Sequence, residues 1–84
     1  MIILYSDNQE IKLDVKDESH SYEAIMAEDT LNLYFSYPGY LEIPVGTWCD
    51  FYGKRYSLKK VISRRKVSAT LNIHLSLKQL KRML

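Results

Sequence analysis

The chain has 84 residues, 46% of them apolar and 26% charged, with a formal net charge of +2. That length supports one modest core and excludes a multidomain protein, while the apolar fraction is too high for a disordered chain. One cysteine, Cys49, excludes an internal disulfide, and with two histidines it falls short of the four Cys or His ligands of a structural zinc site.

Seven Tyr, two Phe and one Trp stand against three Gly, and bulky rings suit pleated surfaces better than helices, so the composition points to a mainly β fold. The opening run Met1 to Asp7 has no basic stretch before its apolar residues and is too short for a leader or a membrane span. The expectation is synthesis in the cytoplasm and no membrane partner.

An apolar first strand around Ile2 to Tyr5 is followed by the turn signal Ser6-Asp7-Asn8. Ile11, Leu13 and Val15 then alternate with Lys12, Asp14 and Lys16, which predicts a half-buried second strand and a first hairpin. After the polar cluster Lys16 to Ser19, Tyr22, Ala24 and Met26 mark a third strand. Glu28-Asp29-Thr30 turns the chain into Leu31, Leu33 and Phe35, the clearest alternation of the first half. Tyr37-Pro38-Gly39-Tyr40 is a turn, because proline presets φ and glycine tolerates a positive φ.

Leu41, Ile43 and Val45 alternate next, and Pro44 predicts that this strand lies at an edge or ends there, since it has no N–H to donate. Thr47 to Tyr52 and Arg55 to Lys60 flank Gly53 as a hairpin with one buried face. Ser63 to Lys66 reads as a basic loop, and Val67 to Leu77 alternate without a break as the last strand. The tail residues Leu77, Leu80 and Leu84 also fit one face of a short terminal helix. The pattern as a whole predicts a single domain over residues 1–84, a small antiparallel β-sandwich or barrel-like fold of about six to eight strands.

The charges are segregated. Residues 1–50 hold all ten acids and only Lys12 and Lys16 of the cations, whereas residues 51–84 hold ten cations and no acid. Lys59, Lys60, Arg64, Arg65 and Lys66, with Lys54 and Arg55 nearby and Tyr52 and Tyr56 among them, form a candidate nucleic-acid patch, since cations hold phosphates and rings stack on bases. A solvated hairpin rim is the plainer reading of the same residues, because no base-reading fold signature accompanies them.

Other chemistry is poorly represented. His20 falls in a polar stretch and His74 on the polar face of the last strand, with no carboxylate near His74 to orient it as a base. Cys49 sits on a strand between Trp48 and Asp50, away from the cations or helix N-terminus that activate a thiolate. The acids show no spacing suited to paired acid and base work, and glycines 39, 46 and 53 are too far apart for a phosphate loop. These features predict no enzyme and no cofactor. Trp48, Phe51, Tyr52 and Tyr56 are candidate anchors of a subunit interface, with core packing as the competing role.

The stretch Ser21 to Ser36, followed by Leu41 to Leu58 with its Glu42-Ile43-Pro44-Val45-Gly46 run and its aromatic Gly53-Lys54-Arg55-Tyr56 hairpin, resembles the start of a family of prophage tail proteins found in Bacteroides-type genomes. The resemblance covers about residues 1–60. It implies a small β domain that packs against neighbouring subunits, similar to tail-hub and tail-associated proteins, with other tail proteins or further copies of itself as partners and the virion tail as destination. No catalytic residue carries over. Beyond Lys60 the chain departs from the family, which continues with a Pro-x-x-Phe-Lys-Lys stretch and an aromatic strand containing acids. A reading-frame shift after about residue 60 would account for the divergent basic segment 61–84 and make the chain a truncated tail module; the coding DNA decides it.

Overall fold

The computed structural model describes residues 2–7, 9–13 and 22–80. Seven strands follow one another: β1 (Ile2–Ser6), β2 (Gln9–Leu13), β3 (Tyr22–Ala27), β4 (Thr30–Pro38), β5 (Trp48–Phe51), β6 (Lys54–Val67) and β7 (Thr70–Gln79). They form one antiparallel sheet in the order β2-β1-β5-β6-β7-β4-β3, curled into a half-barrel, with no helix among the described residues. The barrel-like, mainly β expectation holds.

The period-2 pattern explains how the sheet closes on a core. Leu4 faces Ile11 on β2 and Cys49 on β5, Cys49 faces Tyr56, Leu58 faces Leu77, and Leu77 faces Leu31 on the other side of β7. Leu75 in turn lies between Val61 and Leu33, and Ile73 beside Phe35. One apolar row therefore crosses the sheet, and Leu13, Leu31, Leu33, Leu75 and Leu77 are wholly buried. Burying such side chains is worth about 1.5–3 kcal/mol each, which makes this face the main source of stability.

β6 is where the curl originates. Its ladder with β7 shifts between Leu58 and Lys60 and again between Val61 and Ser63. Each shift inserts one extra residue and bends the strand. The first shift turns Val61 rather than Lys60 toward the core row. The second leaves Arg64 and Lys66 on that side, opposite Ile73 and Leu71, at the far end of the hairpin. Fourteen residues at about 3.3 Å each span most of the 47 Å long dimension.

Three expectations are corrected. Residues 39–47 form no strand: Pro44 has no N–H for a ladder, and the chain instead turns there, with the Thr47 N–H donating to Pro44 O at 3.2 Å and the Thr47 hydroxyl donating to the same oxygen at 2.7 Å. Leu41 and Ile43 are nonetheless buried against the core, while Val45 at the tip is fully exposed. Ser63 to Lys66 is not a loop but part of β6, because the turn lies at Ser68 and Ala69. Leu77, finally, is a buried strand residue of β7 and Leu80 just beyond the strand is exposed, so the two do not share a helix face; the rest of the tail, residues 81–84, lies outside the described residues, as do Val15, His20 and the polar cluster 16–19.

Candidate functional site

The sheet has a core side and an outer side, and the candidate residues divide between them. Tyr56 is 3% exposed and packs in the core, so it offers nothing to a partner. Trp48 is on the outer side, half-buried between the Tyr5 ring, whose centroid is 4.4 Å away, and the Arg55 guanidinium, 3.8 Å above the indole. Arg55 is held there by Asp50, Nε to Oδ1 3.3 Å. Trp48 is thus covered by its own neighbours. Phe51 is half-buried against the edges of Tyr52 and Tyr56.

Tyr52 alone of the four ring candidates stands free, 90% exposed at the two-residue turn between β5 and β6. Its φ is +50° and that of Gly53 is +76°, the geometry of a type I′ hairpin turn, which favours Asn-Gly and strains a bulky first residue. Tyr52, Phe51, Asp50, Ile2 and Tyr22 line a cavity of about 250 Å³ at this end of the half-barrel.

The basic cluster does not form one patch. Arg64 is turned to the core side and held by the 39–47 segment: its Nη1 lies 3.4 Å from Leu41 O and 3.8 Å from a Glu42 carboxylate oxygen, and its guanidinium 5.4 Å from the Tyr40 ring centre. Tyr40 donates its hydroxyl proton to Glu42, and this bond, with Glu42's charge, raises the Tyr40 pKa. Lys66 shares the side of Arg64, Lys59 sits at the first irregularity of β6, and Lys60 and Arg65 face outward beside Ser76 and Asn72.

The sequence pattern gives His74 no orienting carboxylate, but the structure makes it the centre of an outer depression. Tyr34 and His74 oppose each other across β4 and β7, their rings stacked at 4.1 Å and 20°. His74 Nε2 donates to Asn32 Oδ1 at 3.1 Å, and Ser36 Oγ donates to Asn72 Oδ1 at 2.9 Å. Tyr34, Ser36, Asn72 and His74, with Ser63, Arg65 and Glu23, border an open groove of about 530 Å³. The signal was in the sequence as the even positions of β4 and β7, Tyr34, Ser36, Asn72 and His74; only strand order shows that they adjoin.

Cys49 is wholly buried. Burial, reinforced by the neighbouring Asp50 charge, pushes its thiol up to about 12, which makes it a packing residue and a poor nucleophile. Among the described residues no three His, Cys, Asp or Glu side chains are placed to share a metal ion, and no helix is long and apolar enough to cross a membrane. Neither a protein-family model, nor a curated protein, nor a solved structure matches the chain.

Proposed function

We propose that the chain is a structural module of a phage or prophage tail, working through protein–protein contacts made by the outer edge of β3. The tail assignment rests on the resemblance of residues 21–58. The contact surface rests on β3 itself, which is laddered to β4 and, among the described residues, to no other strand. Ile25 and Met26 on it are 46% and 39% exposed, and Glu23 is its one charged side chain.

Sheet edges that are not meant to pair are commonly blocked by lysine, proline or a bulge, and β3 has none of these. The opposite edge, β2, carries Gln9, Glu10 and Lys12. An antiparallel copy of β3 with Ala24 opposite Ala24 sets Glu23 against Ile25 and opposes no like charges, so the edge is complementary to itself as well as to other apolar strands. Tyr52 and Val45 supply further exposed apolar surface at the turns.

Sedimentation over a range of concentrations, alone and after co-expression with the products of the genes that flank its own, tests this reading. Concentration-dependent self-association, or a stable complex with such a neighbour, that Ile25→Lys abolishes is the expected result. A chain that stays monomeric throughout and joins none of those neighbours overturns it.

A further inference from the structure

Four strands set one row of side chains across the outer face: Ser63 on β6, His74 on β7, Tyr34 on β4 and Glu23 on β3. Tyr34 and His74 stack on each other. Ser63 is too short to cover the second face of the imidazole, so the ring stack ends open on that side. In the next row Arg65, Asn72 and Ser36 stand together, and the Ser36 hydroxyl takes up the Asn72 carbonyl oxygen, which leaves the amide nitrogen as a donor. Lys60 lies on the same face beside Ser76. From Lys54 to Gln79 the chain has cations and no acid, and β4 has no charge at all, so among the described residues Glu23 at the far rim is the one carboxylate bordering the groove.

We propose that this face binds single-stranded nucleic acid, with one base extending the Tyr34–His74 stack above Ser63, its edge meeting Asn72, and the adjoining phosphates held by Arg65 and Lys60. The ring stack needs a flat partner, and a duplex hides the faces of its bases, so a single strand fits where a double strand does not. The groove sets Ser36, Ser63, Asn72, Arg65 and His74 beside the ring surface of Tyr22 and Tyr34, and hydrogen-bonding groups and a cation next to aromatic surface match a nucleotide, which brings a base and a phosphate together. An acidic peptide would satisfy Arg65 and Lys60 but would leave the rings idle.

Fluorescence anisotropy with a labelled oligo(dT) of about ten nucleotides, titrated at low and at raised salt, tests the proposal. Binding that weakens with salt is expected. Tyr34→Ala and Arg65→Glu should each lower affinity about tenfold or more, and Lys12→Glu, the same kind of charge change on β2 away from the groove, should lower it far less. Ser63→Glu, at an exposed position, blocks the slot without touching the ring stack and should reproduce the loss if Tyr34→Ala disturbs folding, which circular dichroism reports. Absence of binding at low salt overturns the proposal, as does equal loss in Lys12→Glu. Binding that survives both Tyr34→Ala and Ser63→Glu while failing in Arg65→Glu also overturns it and identifies a general anion patch. A mononucleotide that competes as well as the oligonucleotide overturns the strand in favour of a free nucleotide.

Discussion

Arg64 reaches from β6 to Glu42, 3.8 Å between Nη1 and Oε2, and the same nitrogen lies 3.4 Å from Leu41 O, so one side chain ties the segment between β4 and β5 to the end of the core. Both partners are substantially exposed, 38% and 68% of their side chains, and such pairs are worth about 0–1 kcal/mol. Leu41 beneath them is 4% exposed, and truncating a buried leucine costs about 2–5 kcal/mol. Arg64→Ala is therefore expected to change the urea midpoint little while speeding hydrogen exchange in residues 40–46, and Leu41→Ala to lower the midpoint sharply. If the two variants lose the same stability, the tie is energetic and not merely positional.

Tyr52 holds a positive φ of 50° beside Gly53 while burying almost nothing. Asparagine adopts this conformation more readily and matches the Asn-Gly preference of the turn. Tyr52→Asn is expected to stabilise the isolated chain by about 0.5–1 kcal/mol in thermal or chemical denaturation. If the ring is kept for a contact with a partner, the same variant should also weaken the complex the chain forms. Loss of stability on Tyr52→Asn would show that the ring's contact with Phe51 outweighs the strain.

Cys49 links stability to alkaline pH. Its thiol rises from 9.0 to about 12 in the folded chain, so folding favours the protonated form. The stabilisation is fully present below the unfolded value and is lost as pH rises toward the folded one. Between about pH 9 and 12 the slope approaches 1.4 kcal/mol per pH unit. Denaturation midpoints measured up this range should fall more steeply for the native sequence than for Cys49→Ala, in which other titrating groups are unchanged. Parallel curves would mean that the thiolate is tolerated in the core.

Most strands were legible because one face is buried, and burial on one side imprints alternation: Leu31, Leu33 and Phe35, or Leu71, Ile73, Leu75 and Leu77. Segment 39–47 misled because Leu41 and Ile43 are buried in an irregular segment, and burial alone produced the strand-like spacing. Arg64 to Lys66 read as a loop because three successive cations suggest solvent. They sit in the exposed half of a long hairpin whose bulges are invisible without the partner strand. The groove around His74 could not be read for a different reason. Its residues come from four strands, and β4 and β7 are neighbours only through a pairing across more than 30 residues.

The family resemblance ends near residue 60, but the fold does not. β6 runs through that point without a break, and β7, wholly beyond it, is bonded on both sides, to β6 and to β4. It contributes Leu71, Ile73, Leu75 and Leu77 to the core, and without it β3 and β4 lose their connection to the rest of the sheet. A chain ending at Lys60 is therefore expected to be unfolded, with neither the circular dichroism of a sheet nor a cooperative melt, since it leaves a detached β3–β4 hairpin, at best marginal in water, and a β2-β1-β5-β6 sheet whose last strand is cut short and which lacks the core leucines of β7. In the full chain, Leu75→Ala should cost about 2–5 kcal/mol by denaturation. A folded 1–60 fragment would mean that β1, β2 and β5 with the first half of β6 form an independent unit, and the segment after residue 60 could then be an addition to an older domain. An unfolded fragment makes residues 61–79 part of what selection, or chance, had to supply for any fold at all. The same strand places His74, Asn72 and Ser76 on the outer face, so the core and the outer groove stand or fall with β7.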